Sequence, residues 1–163
     1  MTASHHQAPA AAELLRLDNQ ICFALHAASR AFGTLYRTAL RELDLTYPQY
    51  LVMLVLWESD GLPVKEIGAR LRLDSGTLSP LLKRLEAGGL IRRLRSEQDE
   101  RSVEIHLTAA GEALRDRAAD VPRQIAGATG MPVAELADLR ARVAALTAAI
   151  DGTPEPASPE GCP

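Results

Sequence analysis

The segment from Pro63 to Thr108 constrains the fold of this chain more than any other stretch of the sequence. Apolar residues three and four positions apart predict a short helix at its start. A short turn follows, and Asp74 at the end of that turn can cap a second helix by accepting backbone N–H bonds. Gly88 and Gly89 end the second helix, because glycine adopts a positive φ easily. Two runs of strand character come next, joined by a charged tip at residues 96–101. This order of elements predicts a winged helix-turn-helix, which commonly binds duplex DNA.

The second helix of this segment has an apolar face and a polar face. The apolar face, which we expect to pack inward, consists of Leu78, Leu81, Leu82 and Leu85. The outward residues, which we expect to contact DNA, are Ser75, Thr77, Ser79, Lys83 and Arg84. Small hydroxyl side chains near the helix start can approach base edges and phosphates closely, whereas the two long cations favour phosphates. In the wing, Arg95 and Arg101 are expected to enter a minor groove, where narrow A·T tracts attract arginine.

Positive charge is concentrated in this segment. The chain as a whole carries a formal net charge of −3. Between Arg70 and Arg95, seven basic residues are accompanied by two acidic ones, a local balance of +5. A mildly acidic protein that gathers its positive charge on one segment is suited to meet phosphates there. The arginines after the second helix can also form a merely solvated strand face, but their combination with the helix pair favours DNA.

Length and composition set the outer limits. With 163 residues, 47% of them hydrophobic, the chain is long enough for one domain with a substantial core. No run approaches the roughly 18 apolar residues that a membrane span needs. The first residues lack an apolar block after a basic start, so we expect no signal peptide. Two cysteines without an export signal predict free thiols in a cytoplasmic protein. We expect no cofactor and no metal site.

Helical patterns flank the segment on both sides. From about Glu13 to Leu43, apolar residues recur every three or four positions, which predicts one long helix. After the wing, Thr108 can cap a helix that runs to about Ala128. In the last helix the apolar residues alternate at spacings of three and four, and they are Leu136, Leu139, Val143, Leu146 and Ile150. This seam is too narrow to cover a globular core and suits a partner helix, so we predict a homodimer.

These patterns predict a mainly α protein with a small β-wing, in which a winged helix-turn-helix lies between N- and C-terminal dimerisation helices. The expected parts are a disordered N-terminus (1–12), a winged helix-turn-helix domain (13–151) and a disordered tail (152–163). Within the domain, 13–45 and 109–151 form the dimerisation helices and 46–108 the DNA-binding part. A two-fold dimer would place two recognition helices about 34–36 Å apart, in successive major grooves of a pseudo-palindromic operator.

The helix sequence DSGTLSPLLKRLE and the wing sequence SEQDERSVEIHLT strongly resemble the MarR family of transcriptional regulators. The resemblance implies that Asp99 and Arg101 shape the wing tip and that Arg101 enters the minor groove. The sequence LDNQICFALHAASR, with Tyr36 and Tyr47 further on, is similar more narrowly to the organic hydroperoxide sensors of the OhrR type. The resemblance covers roughly residues 13–128. It implies a repressor that releases its operator when an organic hydroperoxide oxidises Cys22.

Cys22 also has a chemical argument of its own. It lies near the start of a long predicted helix, where the positive end of the helix dipole favours a thiolate. A thiolate attacks the O–O bond of a peroxide and becomes a sulfenic acid. Tyr36 lies roughly 21 Å further along the same helix, so the two cannot touch within one subunit, although they can across an antiparallel crossing in a dimer. The resemblance implies the same arrangement, with Tyr36 and Tyr47 of one subunit hydrogen-bonded to Cys22 of the other.

The sequence leaves alternatives open. Cys22 can be a buried, inert thiol, in which case a MarR-type repressor would be released by a small phenolic or lipophilic ligand. A metal-responsive repressor would use Cys22 with His26, His5 or His6, although their spacing is weak. A thiol peroxidase is the enzyme alternative, but neither a C-x-x-C pair nor a Ser/His/Asp set supports an enzyme. The thiol that resolves oxidised Cys22 is either Cys162 or a small cellular thiol.

Overall fold

The computed structural model of the chain describes residues 11–96 and 102–152. The predictions for residues 1–10, for Asp99 and Arg101 in the wing tip, and for Cys162 in the tail lie outside these described residues. The chain divides into two compact units, Met1–Ile125 and Ala126–Pro163. Among the helices of the described ranges, none is both long and apolar enough to cross a membrane.

The long helix predicted from Glu13 to Leu43 is interrupted twice, so that prediction was wrong. The elements in this region are α1 (Ala11–Leu14), a 3₁₀ turn (Leu17–Asn19), α2 (Ile21–Ala39) and a second 3₁₀ turn (Arg41–Leu43). At the first break, the side-chain amide of Asn19 donates to the carbonyl oxygen of Glu13 at 2.7 Å. This side-chain bond competes with the bonds of a continuous helix. Apolar spacing hides both breaks, because 3₁₀ and α turns place residues three to four positions apart on a similar side.

Helix α3 (Tyr47–Glu58) is the central helix of the first unit, as its almost entirely apolar sequence predicts. Before it, the backbone N–H of Thr46 donates to Oε1 of Gln49 at 2.8 Å, and Pro48 lies in the first turn. Both features favour a helix start at this point. The buried residues of α3 are Tyr50, Val52, Met53, Val55 and Leu56.

The predicted winged helix-turn-helix is present, with one strand more than expected. Its elements are β1 (Leu62–Pro63), α4 (Val64–Leu71), α5 (Ser75–Ala87), β2 (Ile91–Arg95) and β3 (Val103–Leu107). Strands β2 and β3 pair antiparallel, and β1 pairs with the other edge of β3, so the predicted two-stranded ribbon is a three-stranded sheet. A two-residue strand is too short to show an alternating pattern. Gly89, with φ of 72°, follows α5 as the glycine pair predicts.

Two helices follow the wing where one was predicted. Thr108 caps the first as expected, because its hydroxyl accepts the N–H of Gly111 at 3.1 Å. Helix α6 (Ala109–Ala118) then ends, and α7 (Val121–Thr129) begins after two residues. Pro122, in the first turn of α7, has no N–H to donate to Ala118, so a continuous helix would lack that bond.

The second unit consists mainly of α8 (Val133–Asp151), and the predicted seam on this helix is open to solvent in the single chain. Leu139 is 45% exposed, Val143 36% and Ile150 63%, and none of the residues of α8 is buried. An apolar stripe left uncovered along a helix is what a partner helix would require.

Candidate DNA interface and thiol site

The start of α5 is held by the carboxylate of Asp74. Its Oδ1 accepts the backbone N–H of Thr77 at 2.9 Å, and its Oδ2 accepts the Thr77 hydroxyl, also at 2.9 Å. The backbone hydrogen bond, followed by the hydroxyl bond, lowers the pKa of the Asp74 carboxyl below its usual value. Asp74 therefore caps the helix as predicted. Because the hydroxyl hydrogen of Thr77 is used in this cap, Thr77 can only accept hydrogen bonds from DNA.

Replacing Asp74 with alanine is expected to lower both the thermal stability and the DNA affinity, since the recognition helix loses its cap. A carboxyl whose native pKa is depressed contributes stability above its unfolded pKa, and that contribution is lost as the pH falls through the native pKa. The advantage of the wild type over Asp74→Ala should thus stay constant from pH 7 to about pH 5 and decline only below about pH 4. Urea unfolding of both proteins across this range tests the prediction, and Asp74→Asn, which keeps an acceptor, should be affected less. A stability difference that already shrinks between pH 7 and pH 5 would contradict it.

The two faces predicted for α5 are confirmed. Leu78, Leu82 and Leu85 are each 1% exposed, and Leu81 is half-buried. The outward residues are all exposed, and they are Ser75, Thr77, Ser79, Lys83 and Arg84. On β2, Arg95 is also exposed. The helix therefore presents a continuous polar surface, and contact of these residues with DNA stays a prediction.

A polar cluster at the base of the wing was not predicted. His106 on β3 lies between two carboxylates, with its Nδ1 3.7 Å from Oδ2 of Asp60 and its Nε2 3.3 Å from Oε2 of Glu104. Hydrogen bonds from the Ser96 hydroxyl and then from His106 lower the pKa of the Glu104 carboxyl. Asp60 also accepts the backbone N–H of Leu107 at 2.7 Å through Oδ1. The cluster ties the sheet to the segment after α3, and Asp60 is too far in sequence from the strand residues for a local pattern to reveal the cluster.

Cys22 is the second residue of α2, and its thiol is exposed. The break before α2 therefore places the thiol in the first helical turn, as the prediction of a position near a helix start requires. Within the single chain the thiol is not buried. Its neighbours in sequence form an exposed apolar surface, with Ile21 60% and Phe23 44% exposed.

All three tyrosines of the chain and its only tryptophan form one aromatic cluster. The ring centroids of Tyr36 and Tyr47 are 4.3 Å apart, and those of Tyr36 and Tyr50 are 6.0 Å apart. Trp57 meets Tyr50 edge-on at 6.2 Å and donates its indole N–H to the carbonyl oxygen of Gly111 at 2.9 Å. Burial, and then the neighbouring phenols, raise the pKa of Tyr36. Its phenol therefore stays protonated and able to donate at neutral pH.

Tyr50 was not predicted to belong to this cluster, because in a helix that is apolar nearly all round an aromatic residue is expected to be part of the core. Tyr50 is indeed buried, with 2% of its surface exposed. Its spacing of three from Tyr47 was the available signal, since such residues share a helix face.

The structure joins Tyr36 to Tyr47 but does not bring them to Cys22 within one chain. Helix α2 runs unbroken from Ile21 to Ala39. Cys22 and Tyr36 are fourteen residues apart on it, which corresponds to roughly 21 Å at about 1.5 Å per residue. Their separation within one subunit is thus confirmed, and their contact across a dimer stays a prediction.

The family and the two relatives described here are all transcriptional regulators. A family model described as transcriptional regulator SarA/Rot matches residues 34–117. The HTH-type transcriptional regulator TtmR of Methylorubrum extorquens is 58% identical over 119 residues, which are 73% of this chain and 61% of that protein. The chain thus spans less than two thirds of the length of TtmR. The organic hydroperoxide resistance transcriptional regulator of Bacillus subtilis is 48% identical over 132 residues, which are 81% of this chain and 90% of that protein.

Solved structures of AbfR, a protein of Staphylococcus epidermidis, have a similar fold. Reduced AbfR bound to DNA has a TM-score of 0.72 and 35% identity, with 85% of this chain and 95% of that chain covered. Overoxidised AbfR bound to DNA has a TM-score of 0.67 and 35% identity, with coverage of 83% and 96%.

Proposed function

Since this chain belongs to the MarR family of winged-helix transcriptional regulators, we propose that it is a repressor that senses organic hydroperoxides through Cys22. The reduced protein binds a pseudo-palindromic operator as a homodimer, and oxidation of Cys22 releases the DNA. The observation that carries the proposal is an exposed thiol in the first turn of α2, in a chain 48% identical to a regulator of organic hydroperoxide resistance.

The DNA-binding part of the proposal rests on the exposed polar face of α5 and on the DNA-bound structures of AbfR. In a two-fold dimer, the two α5 helices enter successive major grooves about 34–36 Å apart. The hydroxyls of Ser75 and Ser79 approach base edges and phosphates, Thr77 accepts hydrogen bonds from base edges, and the cations further along contact phosphates. The residues proposed to contact DNA are Ser75, Thr77, Ser79, Lys83 and Arg84 on α5, with Arg95, Asp99 and Arg101 in the wing.

The sensing part is a two-electron oxidation of sulfur. The Cys22 thiolate attacks one oxygen of the hydroperoxide, so that an S–O bond forms as the O–O bond breaks. The other oxygen leaves with the electron pair, takes up a proton and becomes an alcohol, while Cys22 becomes a sulfenic acid. A second thiol, either Cys162 or a small cellular thiol, then forms a disulfide with Cys22 and releases water. The exposed apolar side chains of Ile21 and Phe23 favour an organic substituent beside the thiol.

Coupling between the two parts is proposed to run through the tyrosines. The phenols of Tyr36 and Tyr47 donate hydrogen bonds to Cys22 of the partner subunit in the reduced dimer. A disulfide at Cys22 displaces these phenols, so the dimer twists and the two α5 helices lose their one-turn spacing. A loss of about 1.4 kcal/mol already lowers the DNA affinity tenfold. Because overoxidised AbfR is also found on DNA, we assign release to the disulfide step and not to sulfur oxidation alone.

A cavity supports a second candidate function, release by a small phenolic or lipophilic ligand. The cavity has a volume of about 570 Å³ and lies between the second 3₁₀ turn and the helices α3, α5 and α6. This volume is within the range of small-molecule sites, about 300–1,000 Å³. Leucines line it, together with Arg41, Arg84 and Arg117. A ligand there would contact Arg84 near the end of α5, and Cys22 would then be structural.

Organic hydroperoxide is expected to release the wild-type protein, but not the Cys22→Ser variant, from the DNA upstream of its own gene. The reason is that serine keeps the size and polarity of the thiol but cannot be oxidised. Fluorescence anisotropy with stoichiometric cumene hydroperoxide and a small monothiol would measure this, with a loss of affinity of at least tenfold in the wild type and recovery after reduction by dithiothreitol. The Cys162→Ser variant removes the other thiol of the chain, so it should be released in the presence of the monothiol, and its response without the monothiol shows whether Cys162 resolves Cys22.

The outcomes of this experiment separate the candidates. Release of the wild type and of Cys22→Ser alike would contradict the thiol mechanism. Release by a phenolic ligand in both proteins, with no response to hydroperoxide, would support the cavity. Consumption of several hydroperoxides per Cys22 in the presence of a thiol reductant would indicate a peroxidase.

In the described parts of the chain, no group of three or more His, Cys, Asp and Glu side chains is arranged to hold a metal ion.

A further inference from the structure

A single carboxylate joins the recognition helix to the wing. Glu86 lies near the end of α5, and its Oε2 is 3.2 Å from Nε of Arg93 on β2. Its Oε1 accepts the backbone N–H of Arg93, also at 3.2 Å. One side chain therefore holds both the backbone and the guanidinium of the same strand residue. The side chain of Glu86 is 40% exposed and that of Arg93 is 34% exposed, so the pair is accessible to solvent.

Arg93 lies between the two elements that a winged helix uses on DNA. In the sheet it is opposite Ile105, which is fully buried, so Arg93 is on the face of β2 that turns toward the helices. It lines a cleft between α5 and the wing strands together with Ser79 and Arg95. When a recognition helix occupies the major groove and a wing the adjacent minor groove, the phosphate backbone runs between them.

Ion pairing distinguishes Arg93 from the other cations of this surface. Lys83 and Arg84 on α5, and Arg92 and Arg95 on β2, have no carboxylate within 4.0 Å among the described residues, whereas Arg93 has Glu86. The pair uses only Nε of Arg93, but it sets the Glu86 carboxylate beside the guanidinium, and this negative charge offsets the attraction of the guanidinium for a phosphate. Because exposed ion pairs contribute little to stability, loss of this pair should leave the protein folded.

We infer that Glu86 is a positioning residue of the DNA-binding surface, which fixes β2 to α5 and offsets the charge of the Arg93 guanidinium, so that Arg93 adds no phosphate contact in the native dimer. The inference rests on the proposed DNA binding. The phosphate contacts of the native dimer are then made by Lys83, Arg84, Arg92 and Arg95, and Arg93 is a latent contact in each subunit. Loss of the Glu86 charge frees Arg93 for the DNA backbone.

The test uses the salt dependence of DNA affinity, because log K falls with log salt concentration by about 0.9 for each phosphate contact. Glu86→Gln removes the ion pair, and its amide oxygen can still accept the Arg93 N–H. We expect this variant to bind the upstream duplex more tightly than the wild type, with a slope steeper by about 0.9 for each subunit that gains a contact. Arg93→Gln alone should leave the wild-type slope unchanged, and the double variant should match Arg93→Gln.

The double variant separates release of Arg93 from the simple loss of a negative charge. If removal of the Glu86 carboxylate acted only by reducing repulsion, it would tighten binding in the Arg93→Gln background too, and the inference would be overturned. A lower slope for Arg93→Gln alone would also overturn it, as would an unchanged slope for Glu86→Gln.

Asp120→Asn is the matched control. It makes the same change in net charge and removes a 2.8 Å pair with Arg123 at the start of α7, so it should leave the slope unchanged. Failure of the wild type to bind any duplex would instead refute the proposed function.

Discussion

We consider a mixed dimer in which one subunit carries Cys22→Ser and the other carries Tyr36→Phe and Tyr47→Phe. Its single Cys22 is expected to be oxidised at the same rate as each Cys22 of the wild-type dimer. Each variant as a homodimer should be defective. The Cys22→Ser homodimer has no sensing thiol. In the homodimer with both phenylalanine changes, Cys22 should be oxidised at least about tenfold more slowly than in the wild type. Hydrogen bonds to a charged group are worth about 1.5–3 kcal/mol, and about 1.4 kcal/mol corresponds to a factor of ten.

The geometry of α2 is the reason for this expectation. Along the unbroken helix, Cys22 and Tyr36 are roughly 21 Å apart, so the phenols that serve a thiol must come from the other subunit. In the mixed dimer the remaining Cys22 belongs to the subunit that lacks the Tyr36 and Tyr47 phenols, and we expect it to face the intact tyrosines of its partner. If the contact were within one chain, the same thiol would lack both phenols and would be oxidised slowly.

The measurement is the rate of sulfenic acid formation, followed by trapping with a dimedone probe under limiting cumene hydroperoxide. All chains carry Cys162→Ser, so that Cys22 is the only thiol observed. Differently tagged chains, co-expressed and purified through both tags, provide the mixed dimer. A rate equal to that of the double phenylalanine homodimer would show that the tyrosines do not act across the dimer. A dimer with Tyr50→Phe in the second subunit, in place of the two other changes, tests whether the third phenol contributes.

The winged helix-turn-helix was predictable because its signals are local. The inward leucines of α5, the Asp74 cap and the Thr108 cap each depend on residues within one or two helical turns, and all are present in the structure. Cys22 was predicted to lie near the start of a helix, and it lies in the first turn of α2, but the break before α2 that puts it there was not predicted. The prediction placed the helix start at Glu13, whereas α2 begins at Ile21. Polar side chains that compete with the backbone decide such breaks, and apolar spacing does not report them.

The features that were missed depend on how separate helices and strands pack against one another. Strand β1 exists because two residues meet the free edge of β3, more than forty positions later. Tyr50 joins the other tyrosines only once α2 and α3 are packed together, and Trp57 reaches Gly111 across 54 residues. The Glu86–Arg93 pair depends on the angle between α5 and β2, which no local pattern specifies. Sequence therefore predicted the elements of the candidate DNA surface, but not the contacts that set their relative positions.

Gly111→Ala is expected to destabilise the protein strongly, although helix propensity alone would favour alanine. A Cβ atom at this position would overlap with the carbonyl oxygen of Leu90, a backbone atom that also accepts the N–H of Thr108. The backbone of Gly111 cannot move away easily. Its N–H donates to the Thr108 hydroxyl and its carbonyl oxygen accepts the indole N–H of Trp57. Glycine is thus required by the close approach of α6 to the start of β2.

Overpacking of this kind costs about 1–3 kcal/mol, and occasionally more. In a protein of this size, each 1 kcal/mol lowers the melting temperature by about 2–4 °C. Thermal unfolding of the reduced protein, at equal concentrations because a dimer is expected, should therefore show a clear decrease for Gly111→Ala. Gly127→Ala in α7 is the matched control, since nothing lies within 4 Å of its Cβ position, and it should raise stability by about 0.4–1 kcal/mol. If the two variants changed stability in the same direction, the close contact between α6 and Leu90 would not be the reason for glycine at position 111.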